Sequence, residues 1–449
     1  MSILSLLPPV IIALLGLALL GVIGNPEQSR PPRQLLSDKC QGFVFGEYRR
    51  LGRKPLYFCK SEQMDGHILI SGEPGTRKSS SLGMPSLLAW QERIFAIDIK
   101  GELSAATAHK PGWRKVFNPM EPDSWGFDPF ERLRDSDNPV QEAREIAQAL
   151  VPVSPEVKDK FWQEAAQNML MGFMLHYCHE GASFIDTMIY IVDRPVEAHI
   201  NYIYQHTQSQ YARRHLNGFI GADAKRLSDF YTEIANNIMV FATDKNIQRA
   251  FSSPKNISPQ DLEDGCDIYL TIPEDKLDQW SVPFNLIVYK FLKHFERRPD
   301  KRATPILFFL DEFPRLGRID PTTKALGTLR SKKIIICLII QSPAQLDLVY
   351  GRAAARVIMT CCVYKAIVCA CDPASQEDFS RLIGTQKVMQ QSVSTNYDPV
   401  TGELRGQTIT RQAVDQRLIQ PHEFSTLTDV VVLTPFGNYR VGKLQPVTS

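Results

Sequence analysis

The chain has 449 residues, of which 43% are hydrophobic and 22% charged, and a formal net charge of only +2. That balance excludes a disordered chain and a globally basic one, so any contact with nucleic acid must come from local patches. The length accommodates two or three domains, or one large α/β domain with insertions.

Residues 3–24 carry no charged side chain. As a helix, that stretch spans ~33 Å against a hydrocarbon core of ~30 Å, which predicts a transmembrane anchor over residues 1–24. The competing reading is a cleaved signal peptide. Against it, no Lys or Arg precedes the apolar run and no small-x-small site follows it. Next comes a basic connector, residues 25–60, with Arg30, Arg33, Lys39, Arg49, Arg50, Arg53 and Lys54. By the positive-inside rule it places the bulk of the chain in the cytoplasm, and it suits anionic lipid headgroups. Short strand-like pieces lie within it at 42–45 and 56–59. Nine cysteines form no CxxC and no zinc spacing. The cluster Cys361, Cys362, Cys369 and Cys371 sits among apolar residues and reads as core, and free thiols suit a reducing compartment.

Residues 68–80 read ILISGEPGTRKSS. An apolar strand breaks into a glycine-rich turn and ends at Lys78-Ser79, the layout of a P-loop. Gly72, Glu73, Pro74, Gly75, Thr76, Arg77, Lys78, Ser79 and Ser80 would surround the phosphates of ATP, with Lys78 on the β/γ-phosphates and the Ser79 hydroxyl on Mg²⁺. The pattern fails at Arg77, which stands where the motif has glycine. The bland alternative is a strand-to-helix turn rich in small residues. A helix over about 79–90 and a second buried strand at 93–100 complete a βαβ unit. Such a unit implies a parallel sheet covered by helices. Asp98 and Lys100 then lie near the phosphate loop, because ligands sit at the C-terminal ends of such strands. Residues 116–130 read as an ordered loop. These segments form the first part of a nucleotide-binding domain, 61–138.

From 139 to 254 apolar positions recur at three and four, as in Phe161, Trp162, Ala165, Ala166, Met169, Leu170, Phe173, Met174 and Tyr177, and predict an inserted all-α domain. The α/β pattern resumes over 255–449. Strands are expected at 266–272, 305–312, 333–341 and 429–433, with one or two more in 357–371. Helices are expected at 280–295 and 322–330. Residues 386–411 read as a flexible loop or hairpin. The strands lack alternation, so both of their faces are buried.

Residues 306–312 (ILFFLDE) have the form of a Walker B strand. It delivers Asp311 to hold Mg²⁺ and Glu312 to orient or activate the attacking water. On its own, such an acidic pair reads equally as a solvated strand end. The following strand ends in Gln341, placed to sense the γ-phosphate or the water.

With these parts in place, the chain resembles the coupling proteins of type IV secretion and conjugation systems, the TraG/TraD family of membrane-anchored RecA-like P-loop ATPases. The resemblance rests on GEPGTRKSS, DIKGEL at 98–103 and VFNPMEP at 116–122. It continues in FWQEAAQNMLMG at 161–172, FLDEFPRLGRI at 309–319 and IIQSPAQLDLVYG at 339–351. CDPASQEDFSRLIG at 371–384 and LIQPHEFSTL at 418–427 complete it. It implies a RecA-like domain with an inserted all-α domain and an N-terminal anchor in the bacterial inner membrane. It further implies hexameric rings, and delivery of relaxase–DNA or protein effector substrates to the components of a secretion channel. It gives Lys78, Ser79, Asp311, Glu312 and Gln341 the roles stated above. Arg330 resembles the family's trans-acting arginine finger, although a surface arginine capping a helix fits its spacing as well. Arg213, Arg214, Lys225 and Arg226 in the insert are candidate substrate contacts. Many relatives carry two transmembrane helices where this chain shows one. Arg77 raises a second reading, a receptor or scaffold of the same system that binds ATP but hydrolyses it poorly. A third, an FtsK/HerA-like DNA translocase, is disfavoured by DIKGEL and FNP.

Overall fold

The computed structural model describes residues 30–445 apart from 51, 154–158, 301–303, 320–321 and 398–403. The anchor expected over 1–24 lies outside the described residues, among which no helix is long and apolar enough to cross a membrane.

The apolar runs become strands: β1 (Leu36–Ser37), β2 (Phe43–Arg50), β3 (Arg53–Lys60), β4 (Ile68–Ser71), β5 (Arg93–Ile99), β6 (Trp113–Phe117), β7 (Cys266–Ile272), β8 (Ile306–Leu310), β9 (Ile334–Ile340), β10 (Tyr364–Ile367), β11 (Thr385–Tyr397), β12 (Leu404–Arg417), β13 (Asp429–Thr434) and β14 (Gly437–Gly442). All but β11 and β12 join one 12-stranded sheet in the order β1-β3-β2-β14-β13-β10-β4-β9-β8-β5-β7-β6. From β10 to β6 every neighbour runs parallel. The flank from β13 to β1 is antiparallel, so the sheet is mixed.

Period-two alternation divides each central strand between two cores. Ile306, Phe308 and Leu310 of β8 face one core, and Leu307 and Phe309 face the other. β9 splits the same way, with Ile336 and Leu338 against Cys337 and Ile339. This is why these strands read as unbroken apolar runs.

Between β6 and β7 the described residues hold helices and no strand. The longest of the helices are Phe161–His179 and Ala224–Thr243. They share a core with one face of the sheet, Met169 and Phe173 belonging to the same cluster as Phe95 and Phe308. A buried ionic cluster adds to this packing. Lys290, on the helix Ser281–Glu296, lies 2.6 Å from Glu142 and 3.4 Å from Glu145, both on the helix Pro139–Leu150. Arg297 reaches the same carboxylates at 3.1 and 2.8 Å. Burial opposes ionisation of Glu142, yet Lys290, Arg132 and Arg297 hold its carboxyl below the usual range.

Several elements differ from the sequence expectation. The stretch 25–60, set apart as a connector, supplies β1, β2 and β3 of the main sheet. Residues 357–361 are helical, within Arg352–Cys361. Buried Ala355 and Ile358 beside exposed Arg352 and Arg356 show that helical periodicity there overrides the β-branched Val357-Ile358 pair. β6 falls partly in the stretch read as a loop. It is an edge strand whose Trp113 is 83% exposed, so it lacks the apolar signature of its neighbours. By contrast, β11 and β12 pair antiparallel, Val388 opposite Val414 and Val393 opposite Ile409, in keeping with the hairpin alternative for 386–411. The helix expected over 79–90 begins as a wide π-type turn, Ser79–Gly83, and becomes α-helical at Met84–Ala89. Gly83 lets this turn lie against the sheet, since a Cβ there would sit 2.9 Å from the Phe309 ring.

Candidate active site

β4, β9, β8, β5 and β7 are consecutive neighbours in the sheet, so the loops leaving their C-terminal ends gather along one edge. These loops deliver, in that order, residues 72–78, Gln341, Asp311 with Glu312, Lys100, and Glu274. They enclose an open cleft of about 320 Å³, lined by Pro74, Gly75, Thr76, Arg77, Lys78, Ser79, Ser80, Lys100, Glu102, Glu274, Asp311, Glu312, Arg315 and Gln341. A wider cleft of about 730 Å³ lies in the helical region, beside His179 and Arg214, and holds none of these residues.

The loop geometry follows from its small residues. A side chain at Gly72 would stand 2.9 Å from Thr76 Oγ1 and 3.1 Å from Val368 Cβ, so only glycine fits without a shift. Thr76 Oγ1 donates to the Glu73 carbonyl at 2.6 Å and fastens the turn. Arg77 adopts φ +66°, the left-handed conformation that the motif's glycine serves, and its side chain is exposed. Lys78 Nζ donates to the carbonyls of Gly72 and Glu73, the latter at 3.3 Å. Burial lowers the pKa of its ammonium, and the charges of Glu312, Asp311 and Glu73 oppose that shift.

Opposite the loop, Glu312 also takes a left-handed conformation, φ +45°. Its N–H donates to Asp311 Oδ1 at 3.1 Å, and its carboxylate accepts from Gln341 Nε2 at 2.9 Å. Gln345 Oε1 accepts from the Gln341 N–H at 3.1 Å and fixes that residue in turn. Asp311 is buried, and desolvation, reinforced by Glu312, pushes its carboxyl up to about 7. A buried carboxylate and a serine hydroxyl, Asp311 and Ser79, line the same cleft and are oxygen donors that a hard divalent cation would satisfy. Among the described residues no cluster of three or more His, Cys, Asp or Glu could hold a metal. Mg²⁺ fits such a site, since it is held by one or two protein oxygens together with substrate phosphates.

Two candidates stand apart from the cleft. Asp98 is fully buried at the end of β5 and accepts from the N–H groups of Leu103 and Ser104 at 3.0 and 2.7 Å. Its carboxylate folds the loop that carries Lys100 and does not line the cleft. Arg330 is exposed in the turn Leu329–Lys332, just before β9. It thus sits at the N-terminal edge of the sheet, opposite its own chain's cleft. Conversely, Glu274 and Arg315 line the cleft without having been singled out. Glu274 opens the turn after β7, just as Asp311 follows β8. The strand-end rule used for the acids would have found it. Arg213, Arg214, Lys225 and Arg226 are exposed on the helical region, far along the chain from every cleft residue.

Residues 28–434 match the family described as Type IV secretory system Conjugative DNA transfer. The chain is 23% identical over 372 residues to Protein VirD4 of Agrobacterium fabrum (strain C58), covering 78% of this chain and 52% of that protein. It is 24% identical over 410 residues to the conjugal transfer protein TraG of Escherichia coli, covering 80% and 61%. The chain thus spans about half to three-fifths of the length of these relatives. Its fold is similar to that of the plasmid coupling protein TrwB in complex with the ATP analogue ADPNP. The TM-score is 0.71 at 17% identity, over 93% of this chain and 91% of that one. TrwB in complex with ADP and Mg²⁺ aligns at TM-score 0.65 and 17% identity, over 85% of each chain. A match across nearly all of the described residues, on the same α/β architecture, is decisive: the chain belongs to the type IV secretory system conjugative DNA transfer family.

Proposed function

We propose that this chain is the coupling ATPase of a type IV secretion or conjugation system. It is anchored at the bacterial inner membrane by residues 1–24, binds ATP and Mg²⁺, and delivers DNA–protein or protein substrates to the channel. The observation that carries this reading is the convergence of Lys78, Ser79, Asp311, Glu312 and Gln341 on one cleft, from three neighbouring strand ends. Lys78 neutralises phosphate charge. Ser79 and Asp311 hold the cation, which when bound offsets charge on the phosphates. Glu312 takes the proton of the attacking water, and its hydrogen bond from Gln341 fixes the carboxylate for that task. Arg330 faces away from its own cleft and would act on a neighbouring subunit's site, as a hexameric ring provides. The basic hairpin end, Arg49, Arg50, Arg53 and Lys54, suits anionic lipid beside the anchor. The stretches 61–138 and 255–449 would form the nucleotide-binding domain around the helical insert, 139–254.

ATP turnover by the purified protein, compared with Lys78→Ala and Glu312→Gln, tests this reading, and substrate transfer by cells carrying each variant tests its coupling to secretion. Turnover lost in both variants, with binding kept in Glu312→Gln, supports it. Equal turnover in all three proteins rejects it. A second reading, a scaffold that binds ATP and hardly hydrolyses it, is favoured by the non-glycine residue Arg77 at φ +66° in the phosphate loop. Nucleotide binding without turnover in the wild type selects it.

A further inference from the structure

Arg315 occupies a place in the cleft that none of the roles above uses. It follows Glu312 by three residues, in the turn Phe313–Leu316, and its backbone is tightly held. The Arg315 N–H donates to the Glu312 carbonyl at 2.8 Å. Phe313 stacks on Tyr350 with ring centroids 5.5 Å apart, and Phe313, Pro314 and Leu316 are buried. The guanidinium is held far less firmly. Its ion pair is with Glu274 at 3.5 Å, and both side chains are substantially exposed. Such a pair exchanges partners at little cost. Glu274 also binds Lys100 at 3.0 Å, so it keeps a cation when Arg315 leaves. Lys100, Glu274 and Arg315 follow β5, β7 and β8, adjacent strands, and bridge the side of the cleft facing the phosphate loop.

We propose that Arg315 is a phosphate-sensing residue acting within its own chain: it binds the terminal phosphate of a nucleoside triphosphate, and Glu274 sets the threshold by competing for its guanidinium. This rests on the nucleotide-binding reading of the cleft. A planar guanidinium matches phosphate oxygens through two parallel N–H donors, a stronger partner than one solvated carboxylate at 3.5 Å. A diphosphate lacks the group nearest Glu312, so Arg315 would separate tri- from diphosphate. Its fixed link to the Glu312 carbonyl would report that difference to the residue activating water.

The test measures dissociation constants of the full chain for a non-hydrolysable ATP analogue and for ADP, each with Mg²⁺. Arg315→Ala should weaken the analogue at least tenfold and ADP less than twofold. Arg315→Lys should recover part of the loss, and Glu274→Gln should tighten the analogue severalfold without changing ADP. Thermal melts identify any variant that fails to fold, in which case the remaining variants decide. Equal loss for both nucleotides, or no loss, in Arg315→Ala overturns the inference, as does an unchanged analogue affinity in Glu274→Gln. If the wild type binds neither nucleotide, the nucleotide reading falls and this inference with it. If it binds both and the variants keep the ratio, this inference alone falls.

Discussion

Gln341 donates from Nε2 to Glu312 Oε2 across 2.9 Å, tying the residue after β9 to the second acid after β8. Neither strand end could orient the carboxylate alone, because Glu312 lies just beyond its strand in a left-handed turn. The amide holds one carboxylate oxygen and leaves the other for water.

Removing that amide should therefore slow chemistry and spare binding. Gln341→Ala is expected to lower kcat by roughly 10- to 100-fold, with nucleotide affinity within about threefold. That is less than the ~100- to 10,000-fold that a positioned acid or base itself supplies, because the carboxylate remains and loses only its orientation. Steady-state ATPase assays alongside equilibrium titration separate the two quantities. A KM increase at constant kcat would show that Gln341 only binds.

Arg77 holds a conformation that costs a non-glycine residue about 1 kcal/mol or more. Arg77→Gly should relax the phosphate loop and raise turnover by up to about fivefold, the rate equivalent of that energy. A kinetic comparison at saturating ATP checks this, and unchanged turnover would show that the arginine shapes the loop as well as glycine does.

His67 predicts an acid limb of stability. Its Nε2–H donates to the Leu326 carbonyl at 2.8 Å, and its Nδ1 accepts from the Ile336 N–H at 3.0 Å, which fixes the neutral tautomer. Burial, aided by the Lys60 and Arg330 charges, drives the imidazole from 6.5 down to about 4. Between those values the unfolded chain binds a proton that the folded chain refuses, so stability is fully present above pH 6.5 and falls as pH drops toward 4. The loss amounts to about 3 kcal/mol at the acid end. Denaturant titrations across that window should show the slope. His67→Gln, although less stable at pH 7, should flatten it.

The ionic cluster of Lys290, Glu142, Glu145 and Arg297 should be intolerant of one-sided change. Lys290→Met removes the buried cation from two buried carboxylates, leaves them to the more exposed Arg297, and should cost up to about 3–5 kcal/mol. Thermal unfolding would register this as a large drop in Tm. A small drop would mean that Arg297 and Arg132 carry the charge balance by themselves.

Much of this fold is written in period and strand ends. β4, β5, β7, β8 and β9 are legible because burial on both faces leaves unbroken apolar runs, and the helices from 139 to 251 because their apolar spacing is three and four. β6 and β14 are not, because edge and antiparallel strands carry polar residues on an open side. Lys78, Ser79, Asp311, Glu312 and Gln341 meet in the cleft because each follows a buried strand. Glu274 obeys the same rule but lacks a motif to draw attention, Arg315 lies inside a quoted motif whose acids take the notice, and only the neighbour relation of β5, β7 and β8 brings the two to Lys100. Asp98 follows the rule and still turns inward, since two backbone N–H groups claim its carboxylate.

Among the described residues four non-glycine positions have a left-handed backbone, and three of them, Arg77, Lys100 and Glu312, line the one cleft. Each such conformation stores about 1–3 kcal/mol. A laboratory selection for heat resistance that ignored turnover would therefore converge on glycine or asparagine at these three sites. It would yield a hardier protein whose cleft had lost Lys100 and Glu312.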